Sequence, residues 1–235
     1  MRKAAIVPAY NEEGSIRAVV SEIREADPEL EVVVVDDGST DSTAELAARA
    51  GATVLSLPYN LGIGAAVQTG LQYAYENDFD LAVQIDGDGQ HDSRELEQLL
   101  APIVSGAADI SVGSRFAGRR LYRPSLARWL GIVLFAGLVS LIVRQRVTDT
   151  TSGFRAMNRR GIRLFAADYP HDYPEVEATV LVFRHRLRMV EVPVAMRQRE
   201  TGRSSITLFR SLYYMGKVSL ALFVGLLRPR PALAK

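Results

Sequence analysis

The sequence predicts an α/β fold with a doubly wound sheet that carries helices on both faces. Three observations point there. Short β-branched runs alternate with segments of helical periodicity, and Val32–Val35, four valines in a row, reads as a strand buried on both faces of a parallel sheet. The signals follow one another in βαβαβαβ order through the first half of the chain. Each strand signal ends in a polar or glycine-bearing loop, the place where such sheets bind ligands. The chain has 235 residues, long enough for one large domain with a substantial core.

The elements are justified in order. Ala4–Val7 is a short strand stopped by Pro8. Ser15–Ala26 sets Ile16, Val19, Val20 and Ile23 at helical spacing. Val32–Val35 runs into Asp36-Asp37-Gly38. Next come a helix at Thr43–Arg49, a strand at Thr53–Leu57, a helix at Gly64–Glu76 and a strand at Leu81–Ile85. Asp92-Ser-Arg-Glu95 has the form of a capping box opening a helix through Val104. Asp109–Val112 is another strand. After Arg115 the pattern changes to a basic stretch, Arg119–Arg128, and the uncharged run Leu130–Val143. A polar loop at Thr148–Gly153, a strand at Val190–Val194 and a helix at Ile206–Leu227 follow; the last has a polar stripe that gives way to a wholly apolar end. With no internal repeat and no linker-like stretch, residues 1–205 read as one domain and 206–235 as a C-terminal amphipathic helical extension.

Composition excludes several classes. The formal net charge of +1 gives no global reason to expect a nucleic-acid partner. Without cysteine there are no disulfides, thiolate metal sites or cysteine nucleophiles, which fits a cytosolic protein. The histidines show no metal-ligand spacing, so zinc is not expected. Neither a Gly-x-Ser-x-Gly elbow nor a phosphate-binding Gly-Lys-Ser/Thr loop occurs. The first apolar run is too short for a signal peptide. No uncharged stretch reaches the roughly 18–20 residues of a spanning helix; Leu130–Val143, at 14 residues, comes closest.

The chemistry concentrates in a few loops. In Asp86-Gly-Asp-Gly-Gln-His-Asp92 two carboxylates at i and i+2, separated by glycine, can turn onto one ion, and oxygen ligands suit Mg²⁺ or Mn²⁺. A solvated turn uses the same residue types. A calcium loop with Glu97 at its twelfth position lacks the glycine it needs, because His91 stands there. In Asp36-Asp37-Gly38-Ser39 an aspartate can accept hydrogen bonds from a base or ribose, while Ser39 or Asp41 caps the next helix. Asn60-Leu-Gly-Ile-Gly64 is a partial dinucleotide fingerprint, with Val67 in place of the third glycine. The N–H groups of Gly62–Gly64 can face a diphosphate, or these glycines serve only a tight turn. Glu175 and Glu177 share one face if their segment is extended, and either is then a candidate base or half of a solvated acidic pair. Arg197, Arg199 and Arg203 make a late basic loop suited to phosphate, or a solvated charge run.

Taken together, Val7-Pro-Ala-Tyr-Asn-Glu-Glu13, Val34-Val-Asp-Asp-Gly-Ser-Thr-Asp41, Asn60–Gly64, Asp86–His91, Gly113-Ser-Arg115, Ser152-Gly-Phe-Arg155 and Arg199-Glu-Thr-Gly-Arg-Ser-Ser205 resemble the family 2 inverting glycosyltransferases. The similar branch contains dolichol-phosphate mannose synthase and the bacterial polyprenyl-phosphate glycosyltransferases. The resemblance implies a GT-A fold, a nucleotide-sugar donor (UDP-, GDP- or dTDP-linked) and transfer of a hexose to a polyprenyl phosphate. It implies nucleotide or donor contacts from Pro8, Tyr10, Glu12, Asp37, Gly64 and Gly87. Asp86, Asp88 and Gln90 would hold Mg²⁺ or Mn²⁺, and Arg115 would lie near the donor sugar or diphosphate. Ser152 and Arg155 would border the acceptor side, and Arg199 and Arg203 would sit on a loop closing over the phosphates. Ser205 stands where members of this branch often carry lysine.

Rival readings are transfer to a hydroxyl acceptor, with Glu175 or Glu177 as base; a sugar-1-phosphate nucleotidyltransferase, whose triphosphate the acidic Tyr10–Glu13 stretch would repel; and a non-catalytic nucleotide-binding module. Arg128 and Arg144 flank Leu130–Val143, and Arg228-Pro-Arg230 follows Leu227, an arrangement that suits an anionic membrane interface or, alternatively, core or homodimer helices. The expectation is a cytoplasmic protein held peripherally at the inner face of the cell membrane.

Overall fold

Alternation along two apolar strands sets the architecture. In β1 (Lys3–Ala9) and β2 (Leu30–Asp36), Ala4, Ile6, Val33 and Val35 enter one core cluster, while Ala5, Val7, Val32 and Val34 enter another. Side chains alternate across a strand, so the clusters lie on opposite faces and each needs a helical layer. The computed structural model describes residues 1–117, 126–170 and 174–197. Arg119, Arg120, Arg123, Arg199, Arg203, Ser204, Ser205 and the expected 206–227 helix lie outside them.

The remaining strands are β3 (Thr53–Ser56), β4 (Leu81–Gln84), β5 (Ile110–Ser114), β6 (Arg155–Asn158) and β7 (Met189–Pro193). They form one sheet in the order β3-β2-β1-β4-β6-β5-β7. β3, β2, β1 and β4 are mutually parallel, β6 runs antiparallel between β4 and β5, and β7 is parallel to β5. Against one face pack α1 (Ile16–Ala26), α2 (Thr43–Arg49) and α4 (Leu96–Val104), through Ile16, Val19, Val20, Ile23, Ala47, Leu96 and Leu99. Against the other pack α3 (Ile63–Glu76), α5 (Leu126–Val143), α6 (Arg159–Ala167) and α7 (Pro174–Arg184), through Ala66, Leu71, Val139, Phe165 and Val180 among others. This is the doubly wound arrangement the sequence predicts.

Four details differ from the sequence reading. Pro8 does not stop β1: it pairs in register with Val35 and the strand continues to Ala9. Proline lacks one donor, but its carbonyl still accepts from Gly87 N at 3.2 Å. Asp92 does accept from Arg94 N, capping a 3-10 turn at Ser93–Glu95 before α4, but the reciprocal half of a capping box is absent: Glu95 Oε1 accepts from Ala195 N at 3.4 Å instead. β6, α6 and α7 carried no clear sequence signal. Glu175 and Glu177 sit in the first turn of α7, where residues two apart point about 200° from each other, so they share no face.

A candidate active site at the carboxyl ends of the strands

A cleft opens where β1, β2 and β4 end. It is lined by Pro8, Ala9, Tyr10 and Glu12 after β1, by Asp37 after β2, by Asn60, Gly62, Ile63 and Ala66 at the start of α3, and by Asp86, Gly87 and Asp88 after β4. Four separate motifs thus converge on one space, while Gly64 is buried in the first turn of α3.

The walls are rigid because neighbouring loops hydrogen-bond reciprocally. Asn11, at φ 53°, donates its N–H to Ser39 Oγ and accepts from Thr40 N at 2.9 Å. Glu12 N donates to Thr43 Oγ1 at 2.8 Å, Glu13 N to Asp41 Oδ2 at 3.2 Å, and Ser42 N back to Glu13 Oε2 at 3.2 Å. Asp41 also accepts from Thr43 N, the first N–H of α2, while the N-cap position itself is Ser42. Ser15 Oγ donates to the Gly87 carbonyl at 2.7 Å, tying α1 to the loop after β4.

Asp37 is buried, and its carboxylate holds the neighbouring loop: Oδ1 accepts from Leu61 N at 2.8 Å and Oδ2 from Gly62 N at 2.9 Å. One of the N–H groups expected to face a diphosphate, that of Gly62, is therefore already engaged. The approach depends on Gly38, at φ +70°, where a Cβ would lie 2.6 Å from the Tyr59 carbonyl carbon. Gly38→Ala is expected to destabilise the protein by about 2–3 kcal/mol, from the left-handed conformation and the backbone clash together. Urea unfolding measures it; a midpoint unchanged from wild type would mean that the two loops do not need this contact.

In the loop after β4, Asp88 Oδ1 accepts from Gln90 N at 3.0 Å and Oδ2 from Gln90 Nε2 at 2.6 Å. Asp86 accepts nothing at Oδ1, although that atom is buried. An unsatisfied buried carboxylate oxygen is costly, and a bound cation would satisfy it. A Cβ at Gly153 would lie 3.2 and 3.3 Å from the two Asp86 oxygens, so glycine there keeps the carboxylate uncovered. Among the described residues no three His, Cys, Asp or Glu side chains gather around one point. Two carboxylates and an amide instead fit a hard ion that takes its remaining ligands from phosphate and water, the habit of Mg²⁺. His91 is buried, stacks on Phe154 and accepts from Asp86 N.

A second set of charges lies at the ends of β5 and β6. Arg115 forks onto buried Asp149, Nε to Oδ2 and Nη2 to Oδ1, both at 2.8 Å, and donates to Thr151 Oγ1 at 2.6 Å. Glu191 fixes this arrangement by accepting from Thr148 N, Thr148 Oγ1 and Asp149 N. Burial alone would raise the Asp149 carboxyl, but the Arg115 hydrogen bonds and charge outweigh it and hold the carboxyl below the usual range. Ser152 and Arg155 are both fully buried. Arg155 Nε donates to the Ser152 carbonyl at 2.9 Å and Nη2 to the Glu175 carbonyl at 2.6 Å, so its guanidinium joins this turn to α7. Burial pushes the Glu175 carboxyl up, against the pull of Arg155, with Asp86 adding to the rise. Tyr169 donates to Gln84 Oε1 beneath Asp86, and burial raises its hydroxyl as well.

Arg197, on the near side of the late basic loop, clasps Glu22 at 2.8 Å and Asp92 at 3.2 Å, and its N–H donates to the Gln90 carbonyl. Asp92 is held down to about 2, first by its bonds to Arg94 and with help from Arg197. Met196 bridges to His91, so the chain entering the late basic loop is stitched to the loop after β4.

Asp149, Glu191 and Tyr169 were not singled out from the sequence. Of these three, Asp149 carried a usable signal, as the acidic residue in the polar Thr148–Gly153 loop.

Comparison with known proteins agrees with this geometry. A family model described as glycosyl transferase family 2 matches residues 4–165. The chain is 32% identical over 220 residues to an undecaprenyl-phosphate mannosyltransferase of Micrococcus luteus, covering 88% of each protein. It is 28% identical over 209 residues to a UDP-N-acetylglucosamine–dolichyl-phosphate N-acetylglucosaminyltransferase of Methanococcus voltae, covering 80% of this chain and 83% of that one. The fold is shared with glucosyl-3-phosphoglycerate synthase of Mycobacterium tuberculosis, solved with Mn²⁺, UDP and product, at a TM-score of 0.71 and 23% identity over 96% of this chain and 78% of that one.

Proposed function

The chain belongs to glycosyl transferase family 2, and from that membership we propose that it transfers a hexose, with inversion, from a nucleoside-diphosphate sugar to a polyprenyl phosphate at a membrane surface. The observation that carries the reading is the cleft that gathers Asp37, Asp86 and Asp88, with one buried Asp86 oxygen uncommitted. The acceptor class is supported by relatives that differ in the sugar they name but share a polyprenyl or dolichyl phosphate.

In this reading Pro8, Tyr10, Glu12 and Asp37 receive the nucleoside. Asp86, Asp88 and Gln90 would hold Mg²⁺ or Mn²⁺, which would supply positive charge to balance that of a nucleoside diphosphate leaving group. Arg115, held at a fixed angle by Asp149, adds positive charge on the same side. A phosphate oxygen of the acceptor bonds to the anomeric carbon as the bond to the diphosphate oxygen breaks, and the electron pair leaves with the nucleoside diphosphate. Attack from the opposite face inverts the carbon. The acceptor oxygen is already anionic, so no side chain has to remove a proton. Arg199 and Arg203 are assigned to closure over the phosphates. Membrane association is supported by α5, where Val133 and Leu141 are exposed at a spacing of two helical turns and exposed Arg144 and Arg146 follow.

The test is incubation with Mn²⁺ and a panel of UDP-, GDP- and dTDP-sugars, with and without undecaprenyl phosphate in anionic vesicles. Nucleoside diphosphate release that requires both the lipid phosphate and the metal is expected for one donor. Donor hydrolysis with no lipid product would move the acceptor to a hydroxyl compound.

That second reading has one observation in its favour. Burial raises the Glu175 carboxyl above its ordinary value, and the charges of Arg155, Asp86 and Arg115 reach it, the direction of shift that favours a general base. Glu175→Gln separates the two acceptors. With a lipid phosphate we expect turnover within about threefold of wild type, whereas a general base would cost about 100-fold or more.

A further inference from the structure

We propose that His91 is a positioning residue for the ion ligand Asp86, an inference that rests on the reading of Asp86 and Asp88 as ligands. His91 Nδ1 accepts from Asp86 N at 3.0 Å. A ring nitrogen that accepts carries no proton, so in the neutral imidazole the proton is on Nε2. Nε2 lies 3.6 Å from Asp86 Oδ2, too far for a hydrogen bond. A protonated Nε2 has no lone pair to offer a cation. His91 therefore cannot ligate the ion without giving up the bond to Asp86 N, and its place in the Asp-Gly-Asp-Gly-Gln-His sequence has another explanation.

That explanation is the loop's backbone. Gly87 and Gly89 flank Asp88, and Gly89 sits at φ 75°, so the segment that carries the ligands has wide conformational freedom of its own. His91 closes the segment on itself, joining its sixth residue back to the N–H of its first. The ring is in turn immobilised: it is 5% exposed, it stacks on Phe154 with centroids 4.8 Å apart and planes 18° apart, and its backbone is bridged to Met196. Fixing the peptide plane at Asp86 fixes where its carboxylate leaves the chain, while Oδ1 stays uncommitted. Partners of this kind change metal affinity by about 10–100-fold when removed.

Two variants divide the contacts of His91. His91→Phe keeps a ring against Phe154 and removes the acceptor. His91→Asn keeps an acceptor near the Nδ1 position and removes the ring. Both should melt below wild type, one through an unpaired buried N–H and the other through lost packing, so stability does not separate them. Metal affinity does. Mn²⁺ is titrated into each protein with no donor or acceptor present, and free Mn²⁺ is read by electron paramagnetic resonance, with Asp88→Ala as reference. His91→Phe is expected to bind about tenfold more weakly than wild type, and His91→Asn within about threefold. Wild-type affinity in His91→Phe, or equal weakening in both variants, would overturn the positioning role while leaving the metal site intact. A wild-type protein whose Mn²⁺ binding does not depend on Asp88 would overturn the ligand assignment itself.

Discussion

Asp88→Ala is expected to lower turnover about a thousandfold while moving the thermal midpoint by no more than about two degrees. Asp88 lies beyond the end of β4, in neither core cluster, and accepts from Gln90 within its own loop. Its removal should therefore leave the sheet and both helical layers in place. On the proposed reading, what is lost is negative charge where a cation and a diphosphate would meet. Losing one fixed electrostatic group of this kind typically costs 10²–10³ in rate, about 3–4 kcal/mol of barrier. The measurement is nucleoside diphosphate release at a series of Mn²⁺ concentrations. Turnover close to wild type at any of them would remove Asp88 from the reacting centre.

The second large effect should come from a residue that does not line the cleft. Asp149→Asn is expected to reduce turnover about 100-fold and to lower unfolding free energy by about 3 kcal/mol, the lower end of the range for breaking a buried pair because Arg115 keeps a 15% exposed side chain. The double variant Arg115→Met with Asp149→Asn should regain much of the stability, since neither charge is then left uncompensated, but none of the turnover. If stability and turnover recovered together, Arg115 would have no role beyond holding the loop. The pH dependence carries the same signature. The Asp149 carboxyl is depressed in the folded state, so its contribution to stability is complete above the unfolded value near 4 and is lost as pH falls through the lower folded value. Below about pH 4 the wild type should lose stability more steeply than Asp149→Asn.

The first half was legible because β2 is a valine run buried on both faces and α1 has one apolar side, so residue type and burial agree there. The second half was not, for physical reasons that differ by element. α7 contains Val176, Thr179, Val180 and Val182, β-branched residues that by themselves favour a strand, and packing against α5 overrides that preference. β6 is four residues long and opens with a buried arginine, which no hydrophobic pattern marks. In α6 the arginines at 159, 160 and 163 obscure an apolar side formed by Ile162, Phe165 and Ala166. At the site, the carboxylates were readable from glycine spacing, but their partners were not. Asp149 reaches Arg115 across 34 residues, and Glu191 reaches Thr148 across 43, distances at which nothing local specifies a pairing.

The reversed direction of β6 has a consequence for how the enzyme can diversify. Because β6 runs against β4, Arg155 at its start lies beside Gln84 at the end of β4, and the Ser152–Arg155 turn arrives at the same rim as the loops that line the cleft. The cleft-lining loops are all encoded before residue 92, and this turn only after residue 150. On the proposed reading, the nucleotide pocket and the acceptor side then occupy consecutive, non-overlapping stretches of the gene. Recombination between them would exchange the recipient of the sugar without rewriting the nucleotide pocket.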